Sequence, residues 1–132
     1  MASTGRLPYL EVFGRDHDTP DGTCVRDYIH VVDLAAAHCA ALAKLEESAE
    51  CLTLNLGTGH GSSVKDVLSA VEHHVGRSVA VRYRARRAGD PPALVADGSL
   101  AKRLLAFAPA YSHLDYIIAT AAPFFCPAGE AV

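Results

Sequence analysis

The chain has no excess of positive charge. Its 132 residues carry 12 lysines and arginines against 15 aspartates and glutamates, for a formal charge of −3. Binding nucleic acid through the whole surface needs the opposite balance, so no nucleic-acid partner is expected. No run is apolar for the roughly 20 residues that a bilayer crossing takes. The nearest, Tyr116 to Gly129, is uncharged but short and interrupted by Pro123 and Pro127. Met1 to Leu10 lacks the apolar core of a secretory signal, so a cytoplasmic protein without membrane contact is expected. No two of the cysteines, Cys24, Cys39, Cys51 and Cys126, stand at C-x-x-C spacing. No structural metal is expected, and the thiols read as small buried hydrophobes. There is no internal repeat and no low-complexity segment.

What is present fits one globular domain. Half of the residues are hydrophobic and a fifth are charged. Met1 to Tyr9 reads as a flexible leader, and Leu10, Val12 and Phe13 as a short apolar run stopped by Gly14. Asp16 to Thr23 is turn chemistry; Pro20 stands where a calcium loop would need a ligand. Val25 to His30 is short and β-prone. A helix should follow with Val31, Leu34, His38, Leu42 and Leu45 on its apolar stripe. Cys51 to Leu56 reads as a strand, and Gly57, Gly59 and Gly61 as a turn. Ser63 and Asp66 have capping-box spacing ahead of a helix carrying Val64, Val67, Leu68, Val71 and Val75, and Gly76 stops it. Val79, Val81 and Tyr83 alternate with polar or small residues in a half-buried strand. Arg86 to Pro92 is a loop, Ser99 to Phe107 a helix ended by Pro109, and His113 to Ala122 a last helix. This order is α/β with few strands and packing helices.

Three groups of residues invite a chemical reading. Asn55 to Gly61 follows a strand and opens a helix, as dinucleotide fingerprints do, but its spacing is G-x-G-x-G. The next strand ends in arginines where an acid would hold a ribose, so the segment reads as a tight turn. Arg82, Arg84, Arg86 and Arg87 cluster at a strand end, where guanidinium groups either grip phosphate or form a solvated face. Val25 to His30 packs an arginine, an acid, a tyrosine and a histidine together, yet Tyr28 and His30 have no catalytic partner visible in sequence. No G-x-S-x-G elbow is present, and His73 and His74 lie on the polar side of their helix.

Five segments in series resemble one family. They are Phe13-Gly14, Asp18 to Thr23, Val25 to Leu34, Asn55 to Gly59 and Arg86 to Asp90. Their order and spacing resemble the C-terminal part of the UDP-glucose 4-epimerases, NAD-dependent members of the extended short-chain dehydrogenase/reductase family. The resemblance runs from about Leu10 to about Ile118. It implies an α/β substrate lobe over residues 10–122, a tail over residues 123–132, and no Rossmann NAD domain within the sequence.

The family joins NAD on a G-x-x-G-x-x-G turn to a Y-x-x-x-K pair. Four residues after Tyr9, Tyr28, Tyr83, Tyr111 and Tyr116 stand Phe13, Val32, Arg87, Asp115 and Thr120, and no G-x-x-G-x-x-G turn exists. No cofactor or catalytic residue is therefore expected on this chain. The resemblance implies a UDP-sugar ligand instead. Val12 and Phe13 would line the uracil site, Arg26 and Arg87 would hold the diphosphate, and Asp90 would bond the uridine ribose. Leu94 stands where the family gates which sugars fit. The chain thus reads as a C-terminal fragment or truncated paralogue of an epimerase, inactive alone. The alternatives are a non-catalytic UDP-sugar-binding module, one that completes a partner chain carrying the Rossmann half, or a product without function.

Overall fold

The computed structural model describes residues 1–47 and 51–125. Cys126 and most of the expected tail lie outside the described residues. The elements are a 3-10 turn at Ala2–Thr4, β1 (Leu10–Phe13), β2 (Val25–Arg26), α1 (Val31–Glu47), β3 (Ser62–Ser63), α2 (Val64–Val75), β4 (Val81–Arg84), β5 (Ala93–Leu94), α3 (Ser99–Leu105) and α4 (Leu114–Phe125). The architecture is α/β with few, short strands. No helix among the described residues is long and apolar enough to cross a membrane.

Two small sheets organise the chain. β1 and β4 run parallel, with Leu10 opposite Val81 and Phe13 opposite Arg84. β2 lies between β3, antiparallel to it, and β5, parallel to it, with Arg26 opposite Leu94. α2 forms where its cap dictates. The Ser63 hydroxyl accepts from the Asp66 amide, the Asp66 carboxylate accepts from the Ser63 amide, and Gly76 closes the helix in the left-handed region. Asp21 joins this cap to the preceding turn, because its carboxylate accepts from the Ser63 hydroxyl and from the Thr23 amide and hydroxyl. The expected turn between β1 and β2 is thus closed by its own aspartate.

The core lies between α1 and α3. Ala37 and Ala101 are fully buried beside Phe107, with Ile29, Leu54, Leu56 and Leu105 packed around them. Small residues at the helix contact let the two backbones approach closely.

Several sequence expectations need correction. The apolar stripe of α1 is not its buried face: Val31, Leu42 and Leu45 are 70%, 62% and 51% exposed, while Asp33 and Ala37 are buried. Hydropathy passes over an aspartate and an alanine, whereas packing selected them. The Asp33 carboxylate accepts from the amides of Ala110 and Tyr111 and from the Ser112 hydroxyl at 2.6–3.0 Å. Cys51 to Leu56 is not a strand. A strand needs a neighbouring backbone, and none of the described residues pairs with this segment. It anchors to the core through Leu54 and Leu56. Of the described cysteines only Cys24 is buried; Cys39 and Cys51 are exposed, on the face of α1 and in the segment that lack partners. The last helix runs beyond Ala122 to Phe125 with Pro123 inside it. Proline there forfeits only one backbone bond near the helix end. At the N-terminus, the Ser3 carbonyl accepts from the Arg77 Nε at 2.8 Å.

Candidate functional site

The ends of β1 and β2, the loop after β4, and β5 converge. β1 delivers Phe13 opposite Arg84, and three residues later the chain returns Arg87 over Phe13. The Arg87 guanidinium carbon lies 3.8 Å from the ring centroid, a cation–π contact. Gly89 then takes a positive φ of 78°, and the Asp90 amide donates to the Arg87 carbonyl at 3.3 Å. This turn aims Asp90 at β2, where its carboxylate forms an ion pair with Arg26. Both partners are about three-quarters buried, which excludes water from the pair more than at an open surface. Leu94 stands opposite Arg26 in the β2–β5 register and is 53% exposed. Val12 is 4% exposed, so its side chain belongs to the interior and Phe13 is the residue presented outward.

The arginine cluster separates into two kinds. Arg82 donates to the Tyr9 hydroxyl at 2.9 Å and covers its ring. Arg84 pairs with Glu11 at 2.7 Å, and Arg86 with Asp16 at 3.0 Å. These are exposed pairs of small energetic worth. Arg87 makes no ion pair among the described residues. Arg87, over Phe13, and Arg26, held by Asp90, are therefore the two cations that border the turn from Arg87 to Asp90.

The glycine-rich turn does something other than phosphate binding. Its amides converge on Asp27. The carboxylate accepts from the Thr58 amide at 3.0 Å, the Thr58 hydroxyl at 2.6 Å and the Gly59 amide at 3.0 Å, with the Ala96 amide at 3.3 Å. Burial raises the Asp27 pKa, but these bonds outweigh it and hold the carboxyl below its ordinary range. The turn is filled by the protein's own anion.

His30 and Tyr28 are likewise committed or inert. The His30 Nε2 lies 2.8 Å from the Thr120 hydroxyl, and its Nδ1 accepts from the Val32 amide at 3.1 Å. Burial pushes the Tyr28 phenol up against the lowering effect of Arg26, which removes it as a base near neutrality. Tyr28 borders an open cleft of about 450 Å³ with His60, Ser112 and His113. Among the described residues, no cluster of three or more His, Cys, Asp or Glu is arranged to hold a metal.

Sequence reasoning missed the residues behind Asp90. Cys24 and His17 are 6% and 5% exposed, with Cys24 Sγ 3.3 Å from His17 Nε2 and 3.8 Å from Asp90 Oδ2. The one signal in the sequence was Gly14, because a glycine beside a histidine-bearing turn marks a close approach.

Comparison with known proteins places the chain beside epimerases. Residues 3–57 match the model of the NAD dependent epimerase/dehydratase family. The chain is 46% identical to the UDP-glucose 4-epimerase of Azospirillum brasilense over 121 residues, covering 92% of this chain and 35% of that protein. It is similar to the crystal structure of UDP-glucose 4-epimerase from Brucella ovis in complex with NAD, with a TM-score of 0.88 and 56% identity over 94% of this chain and 38% of that one. It also matches the Bifidobacterium longum enzyme in complex with NAD+ and UDP, with a TM-score of 0.83 and 42% identity over 89% of this chain and 35% of that one. The chain therefore spans little more than a third of the length of the relatives it matches.

Proposed function

From its kinship with the UDP-glucose 4-epimerase family, over 35% of the length of the Azospirillum brasilense relative, we propose that this chain supplies the nucleotide-sugar grip of such an enzyme. The observation that carries the reading is that one short turn, Arg87 to Asp90, sets the Arg87 guanidinium over Phe13 and the Asp90 carboxylate against Arg26. Two guanidinium groups clamp a diphosphate by charge-assisted, bidentate bonds, which neutral ligands cannot evoke. Phe13 offers a flat apolar face to the uracil. Asp90, an acceptor only, takes hydroxyl protons of the uridine ribose. Leu94, exposed beside Arg26, bounds the space that the sugar enters.

The residues do not fit an NAD site. The amides of the glycine-rich turn are given to Asp27, and no tyrosine precedes a lysine at the family's spacing. We assign NAD and the proton-transferring tyrosine to residues outside this sequence, in a longer chain or on a partner carrying the Rossmann half. NAD there would accept and return the sugar hydride; the 132 residues bind and orient. The exposed apolar face of α1 favours the second reading, a module that completes such a partner.

The test is a two-dimensional amide NMR titration of the chain with UDP-glucose. Shifts centred on Phe13, Arg26 and Arg87 support the grip, whereas an unresponsive, well-dispersed spectrum removes it. NAD with UDP-galactose should give no detectable UDP-glucose. Robust turnover by the pure chain would overturn the assignment of catalysis elsewhere.

A further inference from the structure

Phe13, His17 and Cys24 belong to one short stretch of chain and Asp90 to a distant one, yet their polar atoms are joined in series. His17 Nε2 is 3.3 Å from Cys24 Sγ and 3.4 Å from the Phe13 carbonyl. The same sulfur is 3.8 Å from Asp90 Oδ2, and the other Asp90 oxygen receives Arg26. Chemistry fixes the proton directions. A carboxylate paired with a guanidinium only accepts, so the thiol donates to Asp90. The sulfur is left to accept, so His17 donates from Nε2, shared between that sulfur and the Phe13 carbonyl. Nε2 of His17 therefore carries a proton, and its buried Nδ1 has no partner among the described residues. Room for the imidazole comes from Gly14: a β-carbon there would stand 2.2 Å from Nε2.

We infer that His17 and Cys24 are positioning residues, holding the Asp90 carboxylate in place when Arg26 turns toward a nucleotide diphosphate. The inference rests on the UDP-sugar reading above. Arg26 has one charge and two claimants, Asp90 and the diphosphate. As it shifts to the phosphates, a carboxylate tethered by Arg26 alone would be free to rotate. Fixing it again would cost side-chain entropy at the moment of binding. The Cys24 thiol keeps Oδ2 tethered, which leaves Oδ1 aimed outward to accept from the ribose hydroxyls. His17 in turn fixes the thiol, whose rotor would otherwise be free, and ties it to the Phe13 backbone. Two of the residues assigned to the nucleotide, Phe13 and Asp90, are thereby joined through one line of hydrogen bonds.

The experiment is calorimetric titration of the full 132-residue chain, as wild type, Cys24→Ala and Cys24→Ser, with UDP and with 2′,3′-dideoxy-UDP. Cys24→Ala should weaken UDP about fivefold, the scale of one neutral hydrogen bond, and leave the dideoxy analogue within about twofold. The analogue has no hydroxyl for Asp90 to receive, so its affinity does not depend on where that carboxylate points. Cys24→Ser shortens the side chain, which puts its hydroxyl out of reach of a carboxylate already 3.8 Å from the sulfur, so it should behave as Cys24→Ala does with both nucleotides. Equal losses for both nucleotides would show that Cys24 merely packs, and an unchanged UDP affinity would show that it does nothing for the site. Either result overturns the positioning role while leaving the UDP reading intact. Wild type that binds neither nucleotide would overturn the UDP reading, and the positioning role with it.

Discussion

The Arg87 guanidinium stacks on the Phe13 ring at 3.8 Å, so the cation and the aromatic assigned to one ligand also hold each other. Removing Arg87 therefore has two consequences. A diphosphate loses a charged donor, and Phe13 loses its cover. Arg87→Ala should weaken UDP binding by about 1.5–3 kcal/mol, the worth of a charged hydrogen bond. Arg82→Ala, which loses an exposed hydrogen bond and the ring contact with Tyr9, should leave affinity unchanged. Calorimetry on the two variants separates them, and equal affinities would take Arg87 out of the site.

Asp27 is the keystone of the glycine-rich turn. Asp27→Ala strands the Thr58 and Gly59 amides, and each unmet donor costs about 1–3 kcal/mol when shielded from water. Because these groups are partly exposed, the expected loss is the lower part of the sum, about 2–3 kcal/mol. Urea denaturation of the variant measures it. A loss under about 0.5 kcal/mol, the size of an ordinary surface change, would mean the turn holds itself.

How much of this was legible follows from which forces leave marks in sequence. α2 was readable to the residue, because its cap, stripe and stop are local: Ser63, Asp66 and Gly76 act within their own helix. The β1–β4 pair was half readable. Alternation gave β4, but β1 read only as a short apolar run, and nothing local gave the parallel register that sets Phe13 against Arg84. The buried face of α1 was not readable, since Asp33 is buried by donors found at Ala110, Tyr111 and Ser112, more than seventy positions away. Cys51 to Leu56 misled because β-prone residues specify a strand only where a partner backbone exists. At the candidate site, the resemblance pointed to Arg26, Arg87 and Asp90. It did not reveal His17 and Cys24, whose roles come from a packing arrangement that no spacing encodes.

Asp33 should contribute to acid unfolding. Its burial raises the carboxyl pKa, but the Ser112 hydroxyl and the Ala110 and Tyr111 amides together hold it below the ordinary value. A carboxylate depressed in the folded state contributes stability that is present above its unfolded pKa of about 3.9 and lost as pH falls through the folded value. Asp21 and Asp27 are lowered in the same sense. Thermal melts from neutral pH down to pH near 3 should show a steep decline for wild type. Asp33→Asn should be less stable at neutral pH, with a shallower decline. A parallel pair of curves would remove Asp33 as a titrating contributor.

The outer face of α1 makes a prediction about association. Val31, Val32, Leu42 and Leu45 are 50–70% exposed, an apolar stripe on a charged, soluble-type surface. Leu42→Gln keeps helix propensity and should change stability by no more than about 0.5 kcal/mol. It should reduce concentration-dependent self-association in sedimentation experiments. Unaltered association would place the adhesive surface elsewhere.

Two glycines with nearly the same backbone separate strain from packing. Gly14 has φ +82° and Gly59 φ +76°, so alanine at either meets the left-handed penalty of roughly 1–2 kcal/mol. Their surroundings differ. An added β-carbon at Gly59 has nothing within 4 Å, whereas at Gly14 it stands 2.2 Å from Nε2 and 2.6 Å from Cδ2 of His17. His17 is 5% exposed and cannot retreat into solvent. Gly59→Ala should therefore cost only the backbone term, while Gly14→Ala should cost about 2–4 kcal/mol in denaturant titrations. The displaced imidazole would also release the Cys24 thiol, so Gly14→Ala should weaken UDP where Gly59→Ala does not. Equal stability losses in the two variants would mean that His17 yields without cost, and the close approach at Gly14 would then be incidental to the site.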